Sequence, residues 1–136
     1  MNANIFREYD IRGIADIDLV DETAESIGKA FGTHFIRDGR KNAVIARDVR
    51  LSSERLRNAV VRGMTSTGLD VIDVGVAPTP VNYFAIKHYD LDGGFMITGS
   101  HNPIEFNGFK MSRSDGAVFG DCLLYTSPSP RDPSIS

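Results

Sequence analysis

Between Asp21 and Ile97 the chain alternates segments of helical period with short apolar runs, and this alternation restricts its fold more than any other feature. From Asp21 onward, Ala24, Ile27, Phe31 and Phe35 recur at the spacing of one helix face, with Asp21 and Glu22 at the positive end and Arg37 and Gly39 near the stop. Asn42 to Ala46 then reads as a short buried strand. Ser52 or Ser53 is suited to cap a helix that carries Leu56, Val60 and Met64 and ends at Gly68. Leu69 to Val74 is β-branched and apolar, a second strand, and Thr79-Pro80 is a cap-plus-first-turn pair for a helix through Val81, Phe84, Ala85 and His88. Gly93 to Ile97 is a third strand, and Phe109-Lys110-Met111 follows closely enough to return antiparallel to it. Strands alternating with helices of this length predict a three-layer α/β/α sandwich around a mostly parallel mixed sheet of about four strands.

That topology places Thr98-Gly99-Ser100-His101-Asn102-Pro103 at the carboxyl end of a buried strand, the edge where open α/β sheets bind ligands. Pro103 fixes its own φ and turns Asn102 away from helix, so the Ser-His pair sits on a constrained loop. Serine is a weak nucleophile alone, and phosphoryl transfer needs positioning, charge stabilisation and a proton acceptor. His101 titrates near neutrality, and Lys110 supplies a cation after the hairpin return. Taken singly, these are also an ordinary turn serine, a hydrogen-bonded turn histidine and a solvated strand lysine.

Two further segments carry clustered arginines. Phe6 to Gly13, FREYDIRG, is too short and mixed in pattern to assign to helix or strand; its arginines suit phosphate oxygens, or Arg12 pairs with Asp10 or Asp16 on the surface. Arg47 to Ser53 follows a strand and precedes a helix amino terminus, where anions are favoured; the other reading is a helix cap with a flanking salt bridge.

A formal charge of −3 argues against general binding to nucleic acid or membranes without excluding a cationic pocket. The single cysteine, Cys122, forms no internal disulfide, which fits a reducing, cytoplasmic compartment, and neither a signal peptide nor a bilayer-spanning run is present. Residues 1–120 read as one α/β/α domain. In residues 121–136 three of the six prolines lie among serines, a composition that builds no core and predicts disorder. This tail reads either as a flexible linker or, as it more closely resembles, a translated cloning artefact after a truncated gene.

Together FREYDIRG (6–13), ARDVRLS (46–52), VGVAPTP (74–80), TGSHNP (98–103) and NGFK (107–110) resemble, in order and spacing, the α-D-phosphohexomutases, closest to the bacterial phosphomannomutase/phosphoglucomutase branch. The resemblance covers roughly residues 5–120. It implies that Ser100 is carried as a phosphoserine that gives its phosphoryl group to a hexose 1- or 6-phosphate. The resulting hexose 1,6-bisphosphate turns around and returns its other phosphoryl group. By similarity Arg12 and His101 hold the phosphoserine region, Lys110 assists with proton or charge, and Tyr9, Arg50 and Asn102 support phosphate and substrate binding. Mg²⁺ would meet the Ser100 phosphate. The family's enzymes have four domains, and this chain resembles the first; the Asp-Gly-Asp-Gly-Asp metal loop of a later domain is absent from the sequence. The expectation is therefore a domain of an isomerase that is inactive alone and needs the missing domains as partners. Alternatives are a noncatalytic sugar-phosphate-binding module, a structural or interaction domain and, within the enzyme class, phosphoglucosamine mutase.

Overall fold

The computed structural model describes residues 10–99 and 102–114. Eight elements follow one another: β1 (Asp10–Ile14), α1 (Asp21–Arg37), β2 (Asn42–Arg47), α2 (Leu51–Ser66), β3 (Asp70–Val76), α3 (Thr79–His88), β4 (Gly93–Ile97) and β5 (Phe106–Arg113). They form one sheet in the order β1-β5-β4-β2-β3. β4, β2 and β3 are parallel neighbours, while β5 runs antiparallel to both β4 and β1. Four of the five strands therefore point one way, and the loops after β1, β2, β3 and β4 gather at one edge.

The three-layer architecture is as the sequence predicts, with one strand more than the expected four. The added strand is β1, which begins inside FREYDIRG and ends one residue beyond it. Its apolar content is slight, but Ile11 is fully buried and pairs with Phe109, so cross-strand partners make this segment a strand where its own pattern does not. The expected serine cap is also corrected. Arg50 occupies the N-cap of α2 without a side-chain capping bond, and Ser52 and Ser53 lie inside the first turn.

Alternate residues on each strand feed opposite layers. Ile45, Phe95, Ile97, Phe109 and Met111 face α1 and α2 in the larger core, while Val44 meets Ala85 and Ile86 of α3 in the smaller. Phe31 stacks on Phe35 at 4.3 Å and meets Phe95 edge-on at 5.3 Å. Each such fully buried side chain contributes roughly 1.5–3 kcal/mol by leaving water. Glycines bring α1 and α2 into backbone contact: a Cβ on Gly28 would strike the Val60 carbonyl, and one on Gly63 the Glu25 carbonyl and Lys29 amide. The first turn of α2 is held at the functional edge of the sheet by β5, where Asn107 donates to Ser52 and Ser53.

Candidate functional site

The loop leaving β4 is bound from both sides by the loop that leaves β2. Before Ser100, the Ile97 carbonyl accepts from the Asp48 amide at 2.9 Å, and the Gly99 amide donates to Asp48 Oδ2 at 3.0 Å. After His101, Arg50 Nη2 donates to the Asn102 carbonyl at 2.8 Å, and Nη1 donates to the carbonyls of Pro103 at 2.6 Å and Phe106 at 2.9 Å. Asp48 and Arg50 are themselves paired, Nε to Oδ2 at 3.3 Å, with side chains 21% and 12% exposed. The Asn102 amide donates to the Gly99 carbonyl at 2.9 Å, drawing the two shoulders of the loop together.

Gly99 is required by this arrangement for space. A Cβ there would fall on the guanidinium of Arg50, which is held too firmly to move aside.

A buried polar chain extends the clamp into the fold. Ser53 Oγ donates to Asp48 Oδ1 at 2.6 Å and accepts from Asn107 Nδ2 at 2.9 Å; the same amide donates to Ser52 Oγ at 2.8 Å. Asn107 is fully buried, and its Oδ1 accepts from the Gly108 amide. Burial by itself would raise the pKa of Asp48, but hydrogen bonds from the Ser53 hydroxyl, the Arg50 and Gly99 amides and the Thr98 side chain outweigh it. The carboxyl is held below its ordinary value of 3.8. Asp48 is thus a fixed anion whose oxygens are occupied by donors.

Arg12 and Lys110 come together on the sheet. Arg12 lies opposite Gly108, and Lys110 opposite Asp10 on one side and Met96 on the other. Alternation therefore puts Arg12 and Lys110 on one face as diagonal neighbours, about 7–8 Å apart along such a pair, away from the Ile11, Phe109 and Met111 core. Gly108 leaves room for β1, since a Cβ there would strike the Ile11 carbonyl and press on Arg12 Cγ. The Gly108 carbonyl accepts from the Thr98 amide at 2.9 Å, so this strip, in which Asp10 also stands opposite Lys110, is joined directly to the start of the loop.

Of the residues expected from sequence, Ser100, His101 and Tyr9 lie outside the described residues. Asn102 stands on the loop. Arg50, expected to support phosphate and substrate binding, donates to three loop carbonyls and pairs with Asp48, which is the salt bridge, without the helix cap, of the segment's other reading. Asp48, Ser53 and Asn107 were not anticipated as site residues; the signal for them was an aspartate two residues before an arginine at a strand-to-helix junction. Among the described residues no group of three or more His, Cys, Asp or Glu side chains could hold a metal. With Asp48 occupied by donors, these residues do not by themselves fit Mg²⁺. No helix among them is long and apolar enough to cross a membrane.

Comparison with known proteins gives this geometry a context. A family model described as phosphoglucomutase/phosphomannomutase, alpha/beta/alpha domain I, matches residues 3–122. A phosphoglucomutase/phosphomannomutase of Thermococcus kodakarensis is 47% identical over 114 residues, 82% of this chain and 25% of the relative. A phosphomannomutase/phosphoglucomutase of Pseudomonas aeruginosa is 44% identical over 109 residues, 80% of this chain and 24% of that protein. A probable phosphoglucosamine mutase of Thermococcus gammatolerans is 46% identical over 109 residues, again 80% and 24%. The crystal structure of a phosphoglucomutase/phosphomannomutase family protein from Burkholderia thailandensis superposes with a TM-score of 0.84 at 41% identity, over 90% of this chain and 29% of that one. The chain spans about a quarter of the length of the curated relatives it matches. In sequence and in fold alike, the chain belongs to the phosphoglucomutase/phosphomannomutase family, matching its first α/β/α domain.

Proposed function

We propose that this chain is the phosphoserine-bearing domain of a cytoplasmic phosphohexomutase that interconverts hexose 1-phosphate and hexose 6-phosphate through a hexose 1,6-bisphosphate. In this reading phosphorylated Ser100 transfers its phosphoryl group to the free hydroxyl of the sugar monophosphate. The Oγ–P bond breaks, a sugar O–P bond forms, the hydroxyl proton passes to a base at the site, and the departing Ser100 Oγ takes up a proton in turn. After the bisphosphate turns around, the reverse transfer restores the phosphoserine and leaves the isomerised monophosphate. Arg12 and Lys110 offset the charge of the phosphoryl group in flight, His101 and Asn102 steady it, and Tyr9 meets the substrate. The sugar-binding domains, and most ligands for Mg²⁺, come from family domains outside the span matched here.

The observation that carries the proposal is the placement of Arg12 and Lys110 on one sheet face, joined through Gly108 to the loop that bears Ser100. Relatives named for glucose, mannose and glucosamine phosphates are alike at this level of identity; we favour the phosphomannomutase/phosphoglucomutase reaction on the Thr98-Gly99 pair before Ser100.

The test is mutase turnover when residues 1–114 replace the matching segment of the Pseudomonas aeruginosa relative. Ser100→Ala should abolish turnover, and Lys110→Met should lower it by about 100-fold, the usual loss on removing one charge-stabilising donor. Turnover that survives Ser100→Ala would contradict the proposal.

A further inference from the structure

We infer that Asp48 is a positioning residue for phosphoryl transfer: paired with Arg50, it clamps the loop on both sides of Ser100 and His101. The inference rests on the reading of Ser100 as phosphoryl carrier and adds to it a residue outside the strip that meets the phosphoryl group.

The two halves of the clamp come from one short segment and act on different shoulders of the loop. Asp48 reaches the residues before Ser100, through its own amide to the Ile97 carbonyl and its Oδ2 to the Gly99 amide. Arg50 reaches the residues after His101, through the carbonyls of Asn102, Pro103 and Phe106. Their mutual contact makes the halves one unit. The unit is anchored behind the loop, because Asp48 Oδ1 accepts from Ser53 Oγ and the Arg50 amide, and Ser53 accepts from the fully buried Asn107. The first turn of α2 and strand β5 therefore share one hydrogen-bonded frame with the loop.

Other roles for Asp48 do not fit. A general base or metal ligand needs a free lone pair facing the substrate, whereas both oxygens here accept from the surrounding protein. What the carboxylate supplies is acceptors at both ends. Asparagine has nearly the same shape but a single acceptor oxygen, so whichever way it is turned, an NH₂ meets a donor. Asp48→Asn therefore loosens one side of the clamp with little change in volume. Arg50→Lys keeps the charge but loses the fork that meets three carbonyls.

A nucleophile displaced by about 1 Å costs on the order of 100-fold in rate. The experiment has two arms. In the 136-residue chain, amide hydrogen exchange is followed at Gly99; Asp48→Ala, which removes both acceptor oxygens, should speed it by about tenfold or more, the loss of one hydrogen bond of about 1.4 kcal/mol, while amides of β2 and β4 stay protected. In the complete polypeptide with the Pseudomonas aeruginosa domains, Asp48→Asn and Arg50→Lys should each lower kcat by about 10–100-fold with KM little changed, measured well below each variant's unfolding midpoint. Ser100→Ala runs alongside. If Ser100→Ala is inactive while Asp48→Asn keeps wild-type kcat, the clamp is overturned and the phosphoserine reading stands. If Ser100→Ala remains active, the parent reading falls and the clamp falls with it. Unchanged exchange at Gly99 in Asp48→Ala overturns the clamp whatever the chimaera does, and so does a rise in KM alone in Asp48→Asn.

Discussion

Replacing Arg50 by alanine should destabilise the whole domain, although the residue lies in a loop. Three charge-assisted hydrogen bonds are lost, to the carbonyls of Asn102, Pro103 and Phe106. Each such bond is worth roughly 1.5–3 kcal/mol. Pro103 is exposed, so its carbonyl turns to water at little cost. The other two bonds are partly buried, and at the lower end of that range they sum to about 3 kcal/mol. Asp48 adds no isolated-charge penalty, since it keeps the Ser53 hydroxyl and the Gly99 amide. The loss registers globally because the loop is tied into the sheet, the Ala15 amide donating to the Glu105 carbonyl and the Thr98 amide to Gly108. At about 2.1 cal/mol/K per residue, 1 kcal/mol moves the midpoint of a domain of this size by about 4 °C, so Arg50→Ala should lower Tm by roughly 12 °C. Circular dichroism of the 136-residue chain measures it. Arg50→Lys should recover about half, since a point cation meets one of the two partly buried carbonyls. A shift under about 3 °C for Arg50→Ala would refute the reasoning, being less than one such bond.

Gly63→Ala should destabilise by about 1–2 kcal/mol despite the gain of about 1 kcal/mol in helix propensity, because overpacking against backbone outweighs it; the new Cβ meets the Glu25 carbonyl and the Lys29 amide of α1. An unchanged or higher urea midpoint would contradict the backbone contact between α1 and α2. The pH dependence should come from His34 at mildly acid pH and from Asp48 only well below it. Burial lowers the His34 pKa below 6.5, the Arg113 charge lowers it further, Asp38 opposes, and Arg40 adds to the fall. The unfolded chain therefore takes up the proton first, so stability is steady above about pH 7.5 and falls as pH drops through 6.5 toward the folded value. Asp48, with its pKa depressed, contributes stability that is intact above 3.8 and lost as pH falls through the folded value. Urea midpoints between about pH 7.5 and pH 5 should slope downward for the wild type and flatten for His34→Gln; an equal slope in the two would contradict the assignment.

The helices were legible because burial sets their period. Ala24, Ile27, Phe31 and Phe35 are all buried, and α1 runs from Asp21 to Arg37 as the charges at its ends suggest. β4 was legible for the same reason, five consecutive buried residues. β1 was not, because Ile11 is buried by the core it joins and pairs with Phe109, about a hundred residues away. The glycines of α1 and α2 look like helix weaknesses in one dimension and become contacts only when two helices meet. At the site, the chemistry-bearing types were readable from Thr98 to Lys110, but not the frame behind them. An aspartate with its hydrogen bonds directed to Gly99, Ser53 and Arg50 looks in sequence like a capping residue. Arg50 was read by its affinity for phosphate, and its contacts with three carbonyls more than fifty positions away were not legible in the sequence.

The central claim is that Ser100 carries the transferable phosphoryl group. Its direct test is to incubate the complete polypeptide with glucose 1,6-bisphosphate, weigh the intact protein and map the modified residue by fragmentation. The account predicts one phosphoryl group, on Ser100, that is discharged by hexose monophosphate and absent from Ser100→Ala. A polypeptide that turns over substrate while unlabelled, or labelled at another residue, would contradict it.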